Sequence, residues 1–191
     1  MLQLLPMAPI GSNMRQVLIK VHLYAASFFL PALLLMALSG GLYLNGFKGT
    51  VETSPVEVAN PAPLDPKSLN LKQDIDGLLQ SNGIVHHFEY VKISGKTLIT
   101  RPTSRDYYSI DTSSEVPVIA LNKPDLVKQL VELHKGHGPG LFKTLQKVMA
   151  VGLVIILLSG FWLGVSSEAL RAPTLITTIA GLVIAVATAL L

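Results

Sequence analysis

Two long apolar runs bracket a polar middle, and this arrangement constrains the chain more than any other feature. The first runs from Val21 to Leu44 and the second from Leu145 to Val165. A helix needs roughly 20 mostly apolar residues to cross about 30 Å of hydrocarbon. Val21 to Leu44 holds no Asp, Glu, Lys or Arg, and its ionisable residues are His22, Tyr24 and Tyr43. Leu145 to Val165 holds one charge, Lys147, near its edge. A third run, Pro173 to Leu191, carries no charge and is close to the minimum length. The pattern predicts about three transmembrane helices with an inserted domain outside the bilayer.

Only 14% of the 191 residues are charged, and the net charge is +3. The basic residues flank the spans instead of forming a dense patch, so nucleic acid is not an expected partner. The absence of cysteine excludes disulfides, thiolate metal sites and cysteine nucleophiles. Arg15 and Lys20 precede the first run, as in a signal peptide, and Ala37-Leu38-Ser39-Gly40 offers small residues. The run is longer than a signal core of roughly 7–15 residues, so it reads as a retained anchor. Met14 is an alternative start to Met1, and the residues before it, with Pro6, Pro9 and Gly11, read as a lead segment.

Between the first two spans lies enough chain for one small domain. Thr50 to Pro66 contains Pro55, Pro61, Pro63 and Pro66 and reads as an extended linker. Leu69, Leu71, Ile75, Leu78 and Leu79 predict a helix over 68–81, capped by Asp65 or Ser68 and stopped by Asn82-Gly83. Alternation from Phe88 to Ser94 then predicts a strand, with a hairpin turn at Ser94-Gly95. Further strands are expected over 97–100, 107–110 and 116–121. Asn122 or Lys123-Pro124-Asp125 opens a second helix, with Pro124 at an early helical position. Its stripe is Leu126, Val127, Leu130, Val131 and Leu133–His134, and Gly136 ends it. The fold class is therefore an α-helical membrane protein carrying a small α+β module.

The expected organisation is a cytoplasmic lead over 1–20, spans over 21–44, 144–165 and 173–191, a module over 45–143, and a short cytoplasmic loop over 166–172. Lys48, Lys135, Lys143 and Lys147 lie near span ends on the module side and oppose this orientation by simple counting. Long domains translocate largely regardless of charge, and the basic lead-in usually dominates. The N-terminus is placed in the cytoplasm and the module in the periplasm.

Lys20-Val21-His22-Leu23-Tyr24 opens the first span, and Leu35-Met36-Ala37-Leu38-Ser39-Gly40-Gly41-Leu42-Tyr43-Leu44 closes it. Leu133-His134-Lys135-Gly136 follows the module, and the next span ends in Leu157-Leu158-Ser159-Gly160-Phe161-Trp162-Leu163. In this order, over roughly residues 15–165, the chain resembles the PepSY-associated transmembrane family of bacterial iron-regulated membrane proteins. Tyr24 and Ala25 replace that family's usual basic and Trp positions, and many relatives have four or more spans. The resemblance implies a PepSY-like module, similar to the inhibitory propeptides of some metalloproteases. It also implies a role near iron, siderophore or haem redox chemistry.

Candidate chemistry centres on histidine. An ionisable group in or bordering a span is a functional-site hypothesis, and neutral imidazole is a common haem ligand. His22 therefore reads either as a haem ligand or as an interfacial residue just beyond Lys20. His134 and His137 could share a small cation or form a polar turn at the membrane surface. If the first two spans are antiparallel, His22 sits near the inner face and His134 and His137 near the outer, roughly 30 Å apart. Haem at His22 would then need a histidine from a partner chain or a second copy. Gly160 and Gly164 form a Gly-x-x-x-Gly pattern suited to close helix packing against the first span or a partner helix. Pro31 is expected to kink the first span, and Trp162 to anchor at the interface. Of His86-His87, one is expected at the surface and one half-buried; Tyr107-Tyr108 should divide into one core and one exposed ring.

No spacing resembles a hydrolase triad or a paired-carboxylate site, so the chain is not expected to be catalytic alone. The leading expectation is a multi-pass accessory subunit of the bacterial inner membrane, supporting a metal, haem or siderophore redox complex. Its haem, if held, would be shared with a membrane-protein partner or in a homo-oligomer. The alternatives are a membrane-tethered module that binds or inhibits a periplasmic protease, and a purely structural subunit of a larger complex.

Overall fold

The computed structural model describes residues 12–60, 62–114 and 116–191. It contains five helices and a small antiparallel sheet among the described residues. The chain divides into two compact units: one gathers the described residues up to Leu33 with Val148–Leu191, and the other is Leu34–Lys147.

Helix α1 (Ser12–Leu44), α4 (Gly140–Val165) and α5 (Arg171–Leu190) are each long and apolar enough to cross a membrane. Their outward faces are apolar, as at Phe28, Leu157 and Leu182, and α5 buries no residue. This is the surface a helix presents to lipid, where burial against protein is not what keeps apolar side chains from water. α1 remains helical through Pro31.

In the first unit α1 and α4 run antiparallel, because His22 meets residues 156–160 while Phe29 meets Gly152. A Cβ at Gly152 would lie 2.2 Å from the Phe29 ring, so the missing side chain is what lets the ring lie against α4. A Cβ at Gly164 would lie 2.4 Å from Thr174 Oγ1, so this glycine packs against α5. The Arg171 side chain closes the α4–α5 turn by donating to the Val165 carbonyl at 3.0 Å.

The second unit holds β1 (Val51–Val56), α2 (Leu71–Ser81), β2 (Tyr90–Ser94), β3 (Thr97–Arg101), β4 (Tyr107–Asp111), β5 (Val118–Pro124) and α3 (Leu126–His134). The sheet order is β1-β5-β4-β3-β2, all antiparallel. The expected meander is therefore present as β2 to β5. Gly95 takes the positive φ its tight β2–β3 turn needs.

Leu98 pairs with Ile110, and Ile110 with Ile119, giving one apolar row across three strands. Ile75, Leu78 and Leu79 of α2 pack on it with Phe88. Of the apolar stripe read from the sequence, Ile75, Leu78 and Leu79 are the core face of α2 and Leu71 packs beside them, but Leu69 lies before the helix and is fully exposed; Asn82-Gly83 ends the helix as expected. Its N-cap is Asn70, with no side-chain capping bond; Ser68 instead donates to Asp74 at 2.5 Å.

Three local expectations are corrected. The proline-rich stretch is not all linker, since Val51–Val56 is an edge strand paired with β5. Proline lacks the N–H of a ladder bond and is tolerated on an edge, where Pro55 sits opposite Ala120. Pro124 ends β5 instead of entering α3, whose N-cap is Asp125 accepting from the Lys128 N–H at 2.7 Å. Tyr107 and Tyr108 are both half-buried: Tyr108 packs against the apolar core, while Tyr107 feels the charges of Glu132 and Arg101.

Both junctions of the α+β module are clamped. After α1, Thr50 donates through its N–H and its hydroxyl to the Asp125 carboxylate, each at 2.8 Å. Before α4, the Glu89 carboxylate accepts from the Gly140 N–H at 2.8 and 3.1 Å, placing a negative charge at the positive end of the helix. Lys143, one turn on, lies 4.6 Å from the centre of the Tyr90 ring.

Candidate functional site

His22 lies on α1, half-buried, with its ring against the end of α4. Its Nδ1 is 3.1 Å from the Ile156 carbonyl oxygen and 2.9 Å from Ser159 Oγ. Ser159 Oγ also donates to that carbonyl at 3.1 Å, so its lone pairs face the imidazole. A carbonyl oxygen can only accept. The proton of a neutral His22 therefore sits on Nδ1, and Nε2 keeps its lone pair. A Cβ at Gly160 would lie 3.1 Å from His22 Cε1, so glycine makes room for the ring.

His134, the last residue of α3, repeats this arrangement within the other unit. Its Nδ1 is 3.0 Å from the Met36 carbonyl oxygen and 3.3 Å from the Oγ of the fully buried Ser39. Ser39 donates to the Leu35 carbonyl at 2.7 Å and approaches that of Met36 at 3.1 Å. A Cβ at Gly40 would lie 2.8 Å from His134 Cε1. The same deduction puts the His134 proton on Nδ1 and leaves Nε2 bare. Gln146 holds the end of α3 in place by donating to the Leu133 carbonyl at 2.9 Å.

His137 belongs to a buried charged cluster. Gly136, at φ +74°, ends α3 between His134 and His137, so the two do not share a helical face. His137 Nδ1 is 2.6 Å from Glu132 Oε2. Thr103 donates to the same oxygen at 2.7 Å, and Arg101 donates to Thr103 at 2.7 Å. Arg101 lies 3.7 Å from Glu132, while Lys128 and Lys135 reach its other oxygen at 3.4 and 3.0 Å. Burial opposes ionisation of Glu132, but hydrogen bonds from Thr103, His137 and Lys135 and the charge of Lys135 outweigh it, lowering its pKa to about 2. His137 is pulled both ways. Burial lowers its pKa, as do the charges of Arg101 and Lys135, and this outweighs the bond to Glu132. The short contact is thus a neutral Nδ1–H donating to a carboxylate at pH 7, not an ion pair.

His86 Nε2 lies 3.2 Å from Thr100 Oγ1, whose hydroxyl is also 3.3 Å from the Tyr108 carbonyl. His86 is half-buried and stacked on Phe88, and His87 is exposed, as adjacent residues in extended chain should be. Both line an open cleft of about 380 Å³ with Arg105, Asp106 and Gln129.

Among the described residues no three His, Asp or Glu side chains are grouped to hold a metal ion. Sequence reasoning singled out His22, His134, His137, Gly160 and Gly164. It gave no role to Ser39, Gly40, Ser159 or Glu132. The signal for the first three was present: Leu-Ser-Gly occurs at 38–40 and again at 158–160, each late in a long apolar run. No protein-family profile, curated protein or solved structure matches this chain.

Proposed function

We propose that this chain is an accessory subunit of the bacterial inner membrane that holds haem together with a partner chain or a second copy. Its N-terminus is cytoplasmic and its α+β module is periplasmic and PepSY-like. The carrying observation is the Nδ1 of His22, bound to the Ile156 carbonyl and Ser159 Oγ on an apolar helix pair. A haem-ligating histidine needs a neutral ring, a fixed orientation and a bare second nitrogen. His22 has the fixed orientation and the second nitrogen left over from its Nδ1 contacts, and so does His134. Haem, when bound, supplies one-electron chemistry. The residues of this chain orient the imidazole and present Nε2. The order helix, four-strand meander, helix supports the PepSY-like reading of the module.

A second reading has one observation in its favour. Among the described residues β2 is an unpaired sheet edge with Tyr90, Lys92, Ile93 and Ser94 exposed, which suits addition of a strand from a bound protein such as a periplasmic protease. Purification of the full chain with its native partners from haem-replete membranes separates the readings. The haem reading expects a Soret band that is lost with His22→Ala. A colourless complex, or a Soret band indifferent to His22→Ala, overturns it. A colourless complex held through the β2 edge is the outcome of the second reading.

A further inference from the structure

We propose that the two Leu-Ser-Gly triplets are positioning elements that set the tautomer of the histidine lying against each of them. Leu38-Ser39-Gly40 acts on His134, and Leu158-Ser159-Gly160 acts on His22. Each histidine thereby offers a bare Nε2 to a metal centre. The proposal rests on the haem reading only in naming what that nitrogen meets; the tautomer belongs to the cofactor-free chain.

Three features of each triplet combine. The carbonyl three residues before the serine accepts from Nδ1, at 3.1 Å for Ile156 and 3.0 Å for Met36. The serine hydroxyl gives its proton to its own helix, which leaves an acceptor lone pair for the same Nδ1–H. The glycine removes the Cβ that would strike Cε1. The arrangement is reciprocal in sequence. His22 opens the α1 span and uses the triplet near the end of α4, while His134 precedes α4 and uses the triplet near the end of α1. Two separate sites with the same donor, acceptors and missing Cβ are hard to attribute to helix packing alone. Packing requires the small residue, but it does not require one nitrogen to be left free.

The test is ¹⁵N NMR of histidine-labelled full chain in lipid nanodiscs, without cofactor and at a pH where the rings are neutral. His22→Gln and His134→Gln assign the signals. The expected wild-type result is a protonated Nδ1 and an unprotonated Nε2 at both residues. Ser159→Ala removes one acceptor and should shift the tautomer ratio of His22 toward Nε2–H by roughly three- to tenfold, leaving His134 unchanged. Ser39→Ala should do the converse. Nε2–H at either histidine in the wild type, or ratios untouched by the serine substitutions, overturns the proposal. Haemin titration of the same nanodiscs, with and without the native partner, distinguishes it from the haem reading. The expected tautomers without a Soret band retain the positioning role and remove haem. A Soret band with tautomers indifferent to the serines retains haem and removes the positioning role.

Discussion

Arg101 and Glu132 lie 3.7 Å apart with their side chains almost sealed from solvent, and Thr103 bridges them by accepting from one and donating to the other. A buried pair of this kind is weak evidence of net stability, but breaking it is costly because the remaining charge has no partner. Glu132→Ala leaves Arg101 buried beside Thr103, and it also removes the acceptor of the His137 Nδ1–H. It should destabilise the α+β module by about 3–5 kcal/mol, read by thermal or denaturant unfolding in detergent. The double variant Glu132→Ala with Arg101→Met should recover part of the loss. Equal stability of the two variants would refute the pairing.

The same carboxylate predicts a pH dependence. Its folded pKa of about 2 lies below the ordinary 4.5, so the unfolded chain binds the proton more readily. The stabilisation is fully present above about pH 4.5 and is lost as pH falls toward 2. It amounts to on the order of 3 kcal/mol. Wild type should therefore lose stability over that window faster than Glu132→Gln, whose side chain does not titrate. Parallel curves would place the acid sensitivity elsewhere.

Gly152 and Phe29 should behave as a coupled pair. A Cβ at residue 152 falls 2.2 Å from the Phe29 ring, so Gly152→Ala must push the ring off α4. Overpacking of this kind costs about 1–3 kcal/mol. Phe29→Ala should relieve most of the effect of Gly152→Ala, giving a clear coupling in a double-mutant cycle of thermal stability.

Gly49 is the sharper case, because its neighbour is backbone. It stands at φ +67°, and an added Cβ would lie 2.2 Å from the Lys128 amide nitrogen. The first turn of α3 cannot yield without losing the Thr50–Asp125 clamp. Gly49→Ala should destabilise the module by about 2 kcal/mol or more. Gly46→Ala also meets a positive φ but open space, so it should cost less. A reversed order would show that contact at Gly49 does not set the cost.

Orientation is accessible without background mutations, since the chain contains no cysteine. Single cysteines at Ser94 and Ser114 should react with a membrane-impermeant maleimide in intact spheroplasts. One at Ser167 should react only after lysis. The converse pattern would invert the proposed topology.

The three helices long and apolar enough to cross a membrane were legible because length and apolarity are local quantities. Val21 to Leu44 needs no partner to be recognised as too apolar for water. The core face of α2 and the existence of β2 to β5 were legible for the same reason, as were the stops at Gly83 and Gly136, whereas in α3 Leu126 is exposed and Glu132 is buried beside Val131. β1 was not, because Val51–Val56 is a strand only through its pairing with β5, and its Pro55 opens a proline-rich stretch of linker composition. Nor was the burial of Glu132, whose partners Arg101 and Thr103 lie far away in sequence.

The sequence by itself determined that His22 borders an apolar span and that Leu-Ser-Gly recurs late in two of them. Tertiary structure alone decided which carbonyl each imidazole meets, and so which ring nitrogen is left free. His22 and Ser159 are 137 residues apart, and His134 and Ser39 are 95 apart. Hydrogen-bond direction between such residues has no periodicity to betray it, because it arises only when the helices pack.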